Sequence, residues 1–451
     1  MASLLKPNLL LHSIGLLVLG ILVGLLSMSF AGASAGSFDP ASIDSGDTAW
    51  MLVSSALVML MIPAVGFFYA GMVRSKNVIS VLKHSVVILS LVTLQWVLVG
   101  YSLVFGKDIN GLIGDLSYFG LRGVGFAPNA DYAATIPHLV FMVFQGMFAI
   151  ITPALIIGSF VERIKFKTLV IFTLLWATLV YDPIAHWVWG VGGFLRNQGA
   201  LDFAGGTVVH ISAGFSAIAA AWLVGRREDH KTAHPATSAN NVPFVILGAA
   251  LLWFGWFGFN AGSALASGPL AASAFVVTNI AAAAAALTWM TLSWSQNKKP
   301  SAMGTVTGAV CGLVAITPAS GFVGPVAAIA IGIIAGVVTY LALFFRSTKT
   351  SIDDTLDVWA AHGIGGVTGA ILTGIFAEKA INELGANGLL FGNPAQLGVQ
   401  ISAVLITAGY AFFATLILLK VINYFSDLRV SKAEEKQGLD MAVHGEAGYR
   451  L

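Results

Sequence analysis

Long apolar runs alternate with short polar connections along almost the whole chain. A helix needs about twenty residues to cross a bilayer core about 30 Å thick, and the runs after residue 47 are close to that length. The pattern therefore predicts an all-α polytopic membrane protein with eleven transmembrane helices. Their approximate positions are 48–70, 84–106, 138–160, 168–187, 206–224, 243–262, 274–296, 302–318, 323–345, 359–376 and 398–422.

Composition agrees with a membrane protein and narrows its partners. Of the 451 residues, 57% are hydrophobic and only 10% are charged, against about 25% charged in an ordinary soluble domain. A formal net charge of +2 is too small to indicate nucleic acid as a partner. The single cysteine, Cys311, excludes a disulfide framework and a thiolate metal cluster.

The first residues have the layout of a targeting segment. Lys6 precedes an apolar run at 14–30, which ends in the small residues of 31–35. This order predicts a secretory signal peptide at 1–35, and an uncleaved anchor helix is the alternative. Cleavage would leave the acidic segment 37–47 outside the inner membrane.

The distribution of Lys and Arg predicts the orientation. One side of the membrane receives only Lys107, Arg122, Arg196 and Lys379, whereas alternate connections and the tail carry the larger set. The positive-inside rule places that larger set in the cytoplasm. We therefore predict a membrane domain at 47–422 with its amino terminus outside the inner membrane, followed by a cytoplasmic tail at 423–451.

A weak internal repeat relates the two halves of the chain. Asp202 lies eight residues before His210, and Asp354 lies eight residues before His362. The first and sixth runs share a second echo, Phe68-Tyr69-Ala70-Gly71 against Phe259-Asn260-Ala261-Gly262. Five helices per half give an inverted repeat plus a final helix, an arrangement that places a transport path between the halves. A chance match is the alternative.

Two histidines fall well inside predicted helices. A titratable side chain at bilayer depth is costly and by default faces a pore or a partner, which makes His210 and His362 candidates for function. A structural hydrogen bond is the alternative for either one. Zinc requires three or four protein ligands and no Cys, Glu or third His accompanies them, so no metal or other cofactor is expected. Three further histidines near helix ends, where interfacial water can solvate them, are His84, His138 and His186.

Four segments carry a family resemblance that runs from about residue 47 to 449. They are DFAGGTVVH at 202–210, GWFGFNAGS at 255–263, DVWAAHG at 357–363, and a tail with GLD at 438–440, HGE at 444–446 and Tyr449. These segments resemble the signatures of the ammonium transporter (Amt/Mep/Rh) family. The resemblance implies the ammonium-transporter fold, a homotrimer, transport and not enzymatic activity, and a tail that packs on a neighbouring subunit and influences contact with a PII-type signalling protein.

The resemblance also implies roles for individual residues. A recruitment site for ammonium would consist of Phe144, Trp189 and Ser263, supported by the buried carboxylate of Asp202. The gate below would be Phe148 and Phe259, and the pore would be lined by His210, His362 and Trp256. Two alternatives stay open, since Asp202 could simply cap a helix and Trp187 competes with Trp189 for the same role.

The implied mechanism has a physical basis. Aromatic faces attract a cation by about 0.5–2 kcal/mol each, but potassium would be attracted too. An unpaired ion in a low-dielectric pore costs several kcal/mol or more, whereas deprotonating an amine of pKa about 10 costs about 4–5 kcal/mol at pH 7. Ammonium can shed its proton and cross as ammonia, with a proton path that is possibly separate, and potassium cannot. A Rhesus-type gas channel and an ammonium sensor with little flux are the alternatives.

Overall fold

A computed structural model describes residues 40–228 and 239–449, so the predicted signal peptide at 1–35 lies outside the described residues. Within these ranges, ten helices are long and apolar enough to cross a bilayer, and a shorter apolar helix lies among them. In chain order they are α1 to α11: Ser45–Met72, Ser75–Phe105, His138–Ser159, Phe166–Asn197, Gly206–Val224, Val242–Ala264, Pro269–Asn297, Ala302–Ile316, Pro325–Lys349, Trp359–Phe376 and Pro394–Phe425.

Each of the eleven predicted runs coincides with one of these helices, which confirms the all-α membrane fold. The shorter helix is α8, with 15 residues. At 1.5 Å per residue it is about 22 Å long, less than a hydrocarbon core of about 30 Å. Eleven full crossings therefore stay a prediction.

The connections contain little regular structure. Two short antiparallel strands, β1 (Asp108–Ile109) and β2 (Ile113–Gly114), pair Asp108 with Gly114 and Ile109 with Ile113 between α2 and α3. Short 3-10 turns lie at Pro40–Ser42, Phe119–Leu121 and Leu389–Phe391. The tail forms a short helix, α12 (Lys432–Gln437), and a π-helical turn at Asp440–His444.

Local sequence explains where several helices begin. The side chains of Asp44, Asn241 and Ser301 each accept a backbone N–H from the first turn of α1, α6 and α8. Such caps satisfy amide groups that have no partner inside the helix. Proline occupies the first turn of α6, α7, α9 and α11, where its missing N–H costs nothing.

The first helices of the two halves, α1 and α6, pack closely against each other. A Cβ atom built on Gly255 of α6 would lie 2.8 Å from the Leu57 carbonyl oxygen, and one on Gly258 would lie 2.9 Å from that of Ser54. Glycine is needed at both positions because the two backbones approach too closely for a larger residue. Small residues serve this purpose wherever membrane helices touch.

The fifth helix of each half shows the same relation. A Cβ on Gly214 of α5 would overlap the backbone nitrogen of Gly363 in α10. Both helices also begin with a π-helical turn, Gly206–Ile211 in α5 and Trp359–Ile364 in α10. Equivalent helices thus pair across the two halves, as an inverted repeat requires.

Three histidines are less accessible than their positions near helix ends predicted. His84, His138 and His186 are 1%, 5% and 0% exposed. The His186 ring lies between the Val104 carbonyl, 2.7 Å from Nδ1, and the Asp108 carboxylate, 2.8 Å from Nε2. Solvation by interfacial water is therefore the wrong explanation for these residues, because the chain itself encloses them.

The tail is ordered against the connections of its own chain. Asp440 accepts the backbone N–H groups of Ile79 (3.0 Å) and Ser80 (2.7 Å), and so caps the start of α2. The Lys76 ammonium group donates to the carbonyl of Glu435 at 2.9 Å. We call the side of the bundle that carries residues 426–449 the tail face. Contact between this tail and a neighbouring subunit stays a prediction.

A buried ionic cluster ties the connections together beneath the tail. Glu162 accepts hydrogen bonds from Arg74 (3.0 Å), Arg227 (3.0 Å) and Asn77 (2.9 Å), and Arg227 also donates to Asp353 at 2.9 Å. Burial raises the pKa of Glu162, but the charges of Arg227 and Arg74 outweigh it and bring the pKa to about 2. The carboxylate therefore stays ionised although it is almost fully enclosed.

Candidate functional site

A cavity of about 630 Å³ opens on the side of the bundle opposite the tail face. We call it the vestibule. Phe148, Trp189, Asp202 and Ser263 line it, so four of the predicted site residues meet in one cavity. Gln145 lines it too, and its side-chain oxygen is buried without a hydrogen-bond partner in the part of the chain that the structure describes.

The indole of Trp189 is fixed from two sides. Its Nε1 donates to the backbone carbonyl of Asp202 at 3.0 Å, and the Phe148 ring stands perpendicular to it with centroids 5.7 Å apart. Trp187 lies elsewhere, because its Nε1 donates to the Leu112 carbonyl at 2.7 Å. Of the two competing tryptophans, only Trp189 lines the vestibule.

The other two residues of the predicted recruitment site are Ser263 and Phe144, and they make different contacts. The Ser263 hydroxyl donates to the Phe259 carbonyl at 2.9 Å, which leaves the oxygen lone pairs of Ser263 available to accept a hydrogen bond. Phe144 is fully buried and packs edge to face on Phe148, with centroids 5.0 Å apart. The Phe144 ring thus supports Phe148 from behind.

Two phenylalanine rings close the inner end of the vestibule. The centroids of Phe148 and Phe259 are 4.4 Å apart, and both side chains are buried. Phe148 borders the vestibule, whereas Phe259 borders a narrow inner cavity. The ring pair therefore separates the two spaces.

The inner cavity is largely apolar, and the side chains with polar groups in its lining are His210, His362, Tyr69 and Trp256. The ring of His210 is nearly parallel to those of Trp256 and His362, with centroids 5.4 and 5.3 Å away. The two Nδ1 atoms are 3.2 Å apart, which requires one nitrogen to donate and the other to accept. Nε2 of His210 has no hydrogen-bond partner within residues 40–228 and 239–449, and is free to contact a small polar molecule.

Asp202 contacts both a residue that lines the vestibule and the start of the helix that carries His210. Its carboxylate accepts the backbone N–H groups of residues 205–208 at 2.8, 2.7, 2.8 and 3.1 Å. These amides open the helix that carries His210, so the carboxylate caps α5. The same residue holds Trp189 through its carbonyl group. Capping and support of the vestibule are therefore compatible roles.

A third cavity, of about 290 Å³, opens towards the tail face below His362, and we call it the tail-face cavity. Phe68 and Tyr69 line both this cavity and the inner cavity. His362 also borders both spaces. The aromatic and imidazole side chains thus form one continuous series from the vestibule to the tail-face cavity.

A family model described as the Ammonium Transporter Family matches residues 49–449. The chain belongs to this family of ammonium transporters.

Relatives and solved structures agree with this membership. The ammonium transporter of Bacillus subtilis is 48% identical over 405 residues, which cover 90% of this chain and 98% of that protein. The crystal structure of Saccharomyces cerevisiae Mep2 matches with a TM-score of 0.81 at 36% identity, covering 86% of this chain and 88% of Mep2. A structure described as a sensor Amt protein matches at 33% identity with a TM-score of 0.80, covering 88% of this chain and 98% of its own.

The membership confirms the predicted family and fold. The chain is therefore a multi-pass membrane protein of a transporter family. Its relatives are named as transport proteins and not as enzymes. Within the described part of the transporter, no group of three His, Cys, Asp or Glu side chains is placed to hold a metal ion.

Sequence reasoning missed several residues of the path. Phe68 and Tyr69 appeared in the sequence only as half of the echo with 259–262. In the structure, both residues line the inner cavity. No sequence feature pointed to Gln145, which lines the vestibule. The position of one glutamine in an apolar helix does not tell which neighbour its side chain will face once the helices pack.

Proposed function

We propose that this chain recruits ammonium in the vestibule, removes a proton at the Phe148–Phe259 pair and conducts ammonia along the inner cavity past His210 and His362. The observation that carries the proposal is the ring pair with 4.4 Å between centroids, which separates the open vestibule from a largely apolar inner cavity lined by two imidazoles.

Recruitment rests on aromatic and hydroxyl groups. The faces of Trp189 and Phe148 attract a cation, and Ser263 accepts one of its N–H groups. These contacts partly offset the free-energy cost of removing water from around ammonium. Asp202 acts indirectly, because all the contacts of its carboxylate go to backbone amides of its own helix.

Selectivity arises at the inner cavity. Its lining contains no carboxylate within the described chain, so an ion that enters remains unpaired at a cost of several kcal/mol. Ammonia is neutral, forms hydrogen bonds and fits beside Nε2 of His210. The contact between Nδ1 of His210 and Nδ1 of His362 provides a route for a proton between the rings, so the proton can leave by a path separate from that of ammonia.

In this proposal, the oligomeric state and the regulation of the protein are those that the resemblance to the family implies. The transporter lies in a bacterial inner membrane as a homotrimer, with its amino terminus outside and its tail in the cytoplasm. The tail face would receive a PII-type protein, since Asp440 and Lys76 already join the tail to the start of α2. A change in tail position would thereby reach a transmembrane helix directly.

The test measures ammonium-dependent current and labelled methylammonium uptake in proteoliposomes, with and without potassium. The His210→Ala/His362→Ala variant should lose selective flux or become sensitive to potassium. His138→Gln is the matched control, because His138 is buried but lies away from the path. Full ammonium selectivity in the double variant would refute the assigned role of the histidines.

A second function is favoured by the likeness to the sensor Amt protein. In that case the vestibule would bind ammonium and transmit its occupancy to the tail, with little flux. The same proteoliposomes decide between the two functions, since saturable binding without uptake in the wild-type protein identifies a sensor.

A further inference from the structure

A carboxyl group lies inside the bundle at a place that the transport path does not use. Asp182 of α4 is 0% exposed and Gln95 of α2 is 6% exposed. Gln95 Nε2 donates to Asp182 Oδ2 at 2.7 Å. Neither side chain borders the vestibule, the inner cavity or the tail-face cavity.

The local backbone is unusual on both helices. Gln95 directly precedes a π-helical turn at Trp96–Gly100, and Asp182 directly follows one at Ala177–Tyr181. Such turns in membrane-spanning or soluble helices are frequent at functional sites. The two turns pack against each other, with the rings of Trp96 and Tyr181 6.5 Å apart.

The orientation of the Gln95 amide is determined by a third residue. Thr178 donates its hydroxyl hydrogen to the Leu174 carbonyl at 3.0 Å, so its oxygen acts as an acceptor towards Gln95 Nε2 at 3.1 Å. Both hydrogens of Nε2 are therefore used, one for Thr178 and one for Asp182. A flipped amide would set two acceptor oxygens against each other.

Two oxygens of this pair remain without a partner. Among the residues that the structure describes, neither Gln95 Oε1 nor Asp182 Oδ1 has a hydrogen bond. No cationic side chain in that part of the chain pairs with Asp182. An ionised carboxylate here would be a buried and unpaired charge, which is among the most costly groups in a membrane protein.

We propose that Asp182 is a proton-binding site: its carboxyl group holds a proton at neutral pH and forms with the Gln95 carboxamide a closed pair of two hydrogen bonds. The proton sits on Oδ1 and is donated to Oε1, while Nε2 continues to donate to Oδ2. One proton thus satisfies both orphan oxygens. The terminal torsions of Asp and Gln are soft, so the ring closes with little strain.

The bound proton is static and joins α2 to α4. Because neither the vestibule, the inner cavity nor the tail-face cavity reaches the pair, the proton is held and does not take part in transport. Gly100 leaves the space that the amide occupies, since a Cβ built there would lie 2.8 Å from Gln95 Oε1.

Infrared difference spectroscopy tests the site directly. A protonated carboxylic acid has a carbonyl stretch well separated from the bands of a carboxylate. Subtracting the spectrum of Asp182→Asn from that of the wild-type transporter at neutral pH should leave one carboxylic acid band. The asparagine amide can close the same pair of hydrogen bonds without a titratable proton, so the variant should fold. If the difference spectrum instead contains the bands of a carboxylate, Asp182 is ionised in the wild-type protein and the proposal is overturned.

A second variant keeps the test independent of Asp182→Asn. Gln95→Met removes the acceptor of the proton, so the acid band should shift to higher frequency, and an unchanged acid region would overturn the proposal. Ammonium uptake by Asp182→Asn should equal that of the wild type. Loss of uptake in a variant that folds normally would show that the proton is relayed and would overturn the static assignment.

Discussion

Asparagine in place of Asp202 tests the cap at the start of α5, the helix that carries His210. The carboxylate accepts four backbone N–H groups, two on each oxygen, at distances from 2.7 to 3.1 Å. The amide of Asp202→Asn keeps one acceptor oxygen, and its NH2 group points at the other two donors. Two of the four backbone N–H groups at residues 205–208 then lose their partner.

The expected cost follows from those two groups. Each buried N–H group that loses its acceptor costs about 1–3 kcal/mol. Asp202→Asn should therefore lower the free energy of unfolding by about 2–6 kcal/mol, which is a large part of the stability of a typical protein. The measurement is the denaturation midpoint of the purified transporter in detergent.

The inverted repeat supplies a matched control. Asp354 occupies the equivalent position before His362, yet its carboxylate accepts fewer backbone N–H groups. Its Oδ2 accepts the Trp359 N–H at 2.8 Å, the Val358 N–H also interacts with the carboxylate, and Oδ1 has no hydrogen-bond partner in the described chain. The amide of Asp354→Asn can keep its oxygen towards these donors, so its effect should be smaller than that of Asp202→Asn. Equal midpoints for the two variants, or a wild-type midpoint for Asp202→Asn, would refute the reasoning.

Three further predictions concern the rest of the bundle. The pKa of Glu162 is lowered from 4.5 to about 2, so its ionised carboxylate stabilises the folded protein by about 3 kcal/mol. This stabilisation is present above pH 4.5 and is lost as the pH falls towards 2. In Glu162→Gln, the denaturation midpoint should therefore depend less on acid pH. Gly214→Ala should cost about 1–3 kcal/mol or more through overlap with Gly363 and reduce uptake, whereas Gly409→Ala, which meets open space, should leave the midpoint unchanged. Asp440→Ala should lose a cap of about 1–2 kcal/mol and accelerate tryptic cleavage of the tail about 5- to 30-fold; unchanged cleavage would show that the cap does not hold the tail.

Much of the fold was predictable because a bilayer imposes a minimum length on apolar runs. The eleven runs and the pairing of Asp202 with His210 and of Asp354 with His362 all correspond to features of the structure. Helix lengths were less predictable. The run at 302–318 becomes a helix of 15 residues, Ala302–Ile316, which ends two residues before the predicted run does.

The fate of charged and polar side chains was the least predictable part. Arg163 counts as a loop charge in the sequence but is 0% exposed, because its guanidinium donates to the carbonyls of Ser159 and Asp353. His186 likewise lies near a helix end and is nevertheless enclosed. The contact between Arg163 and Asp353 joins residues 190 positions apart, and hydropathy along one segment contains no information about such contacts.

The closed pair of Phe148 and Phe259 has a kinetic consequence. If ammonia crosses at this point, the turnover of the transporter depends on how frequently the rings swing apart and only weakly on the width of the passage. Buried rings move over an energy barrier, so the rate should rise steeply with temperature. It should also remain far below the throughput of an open, water-filled channel, and such a transporter can stay in an energised membrane without leaking ions.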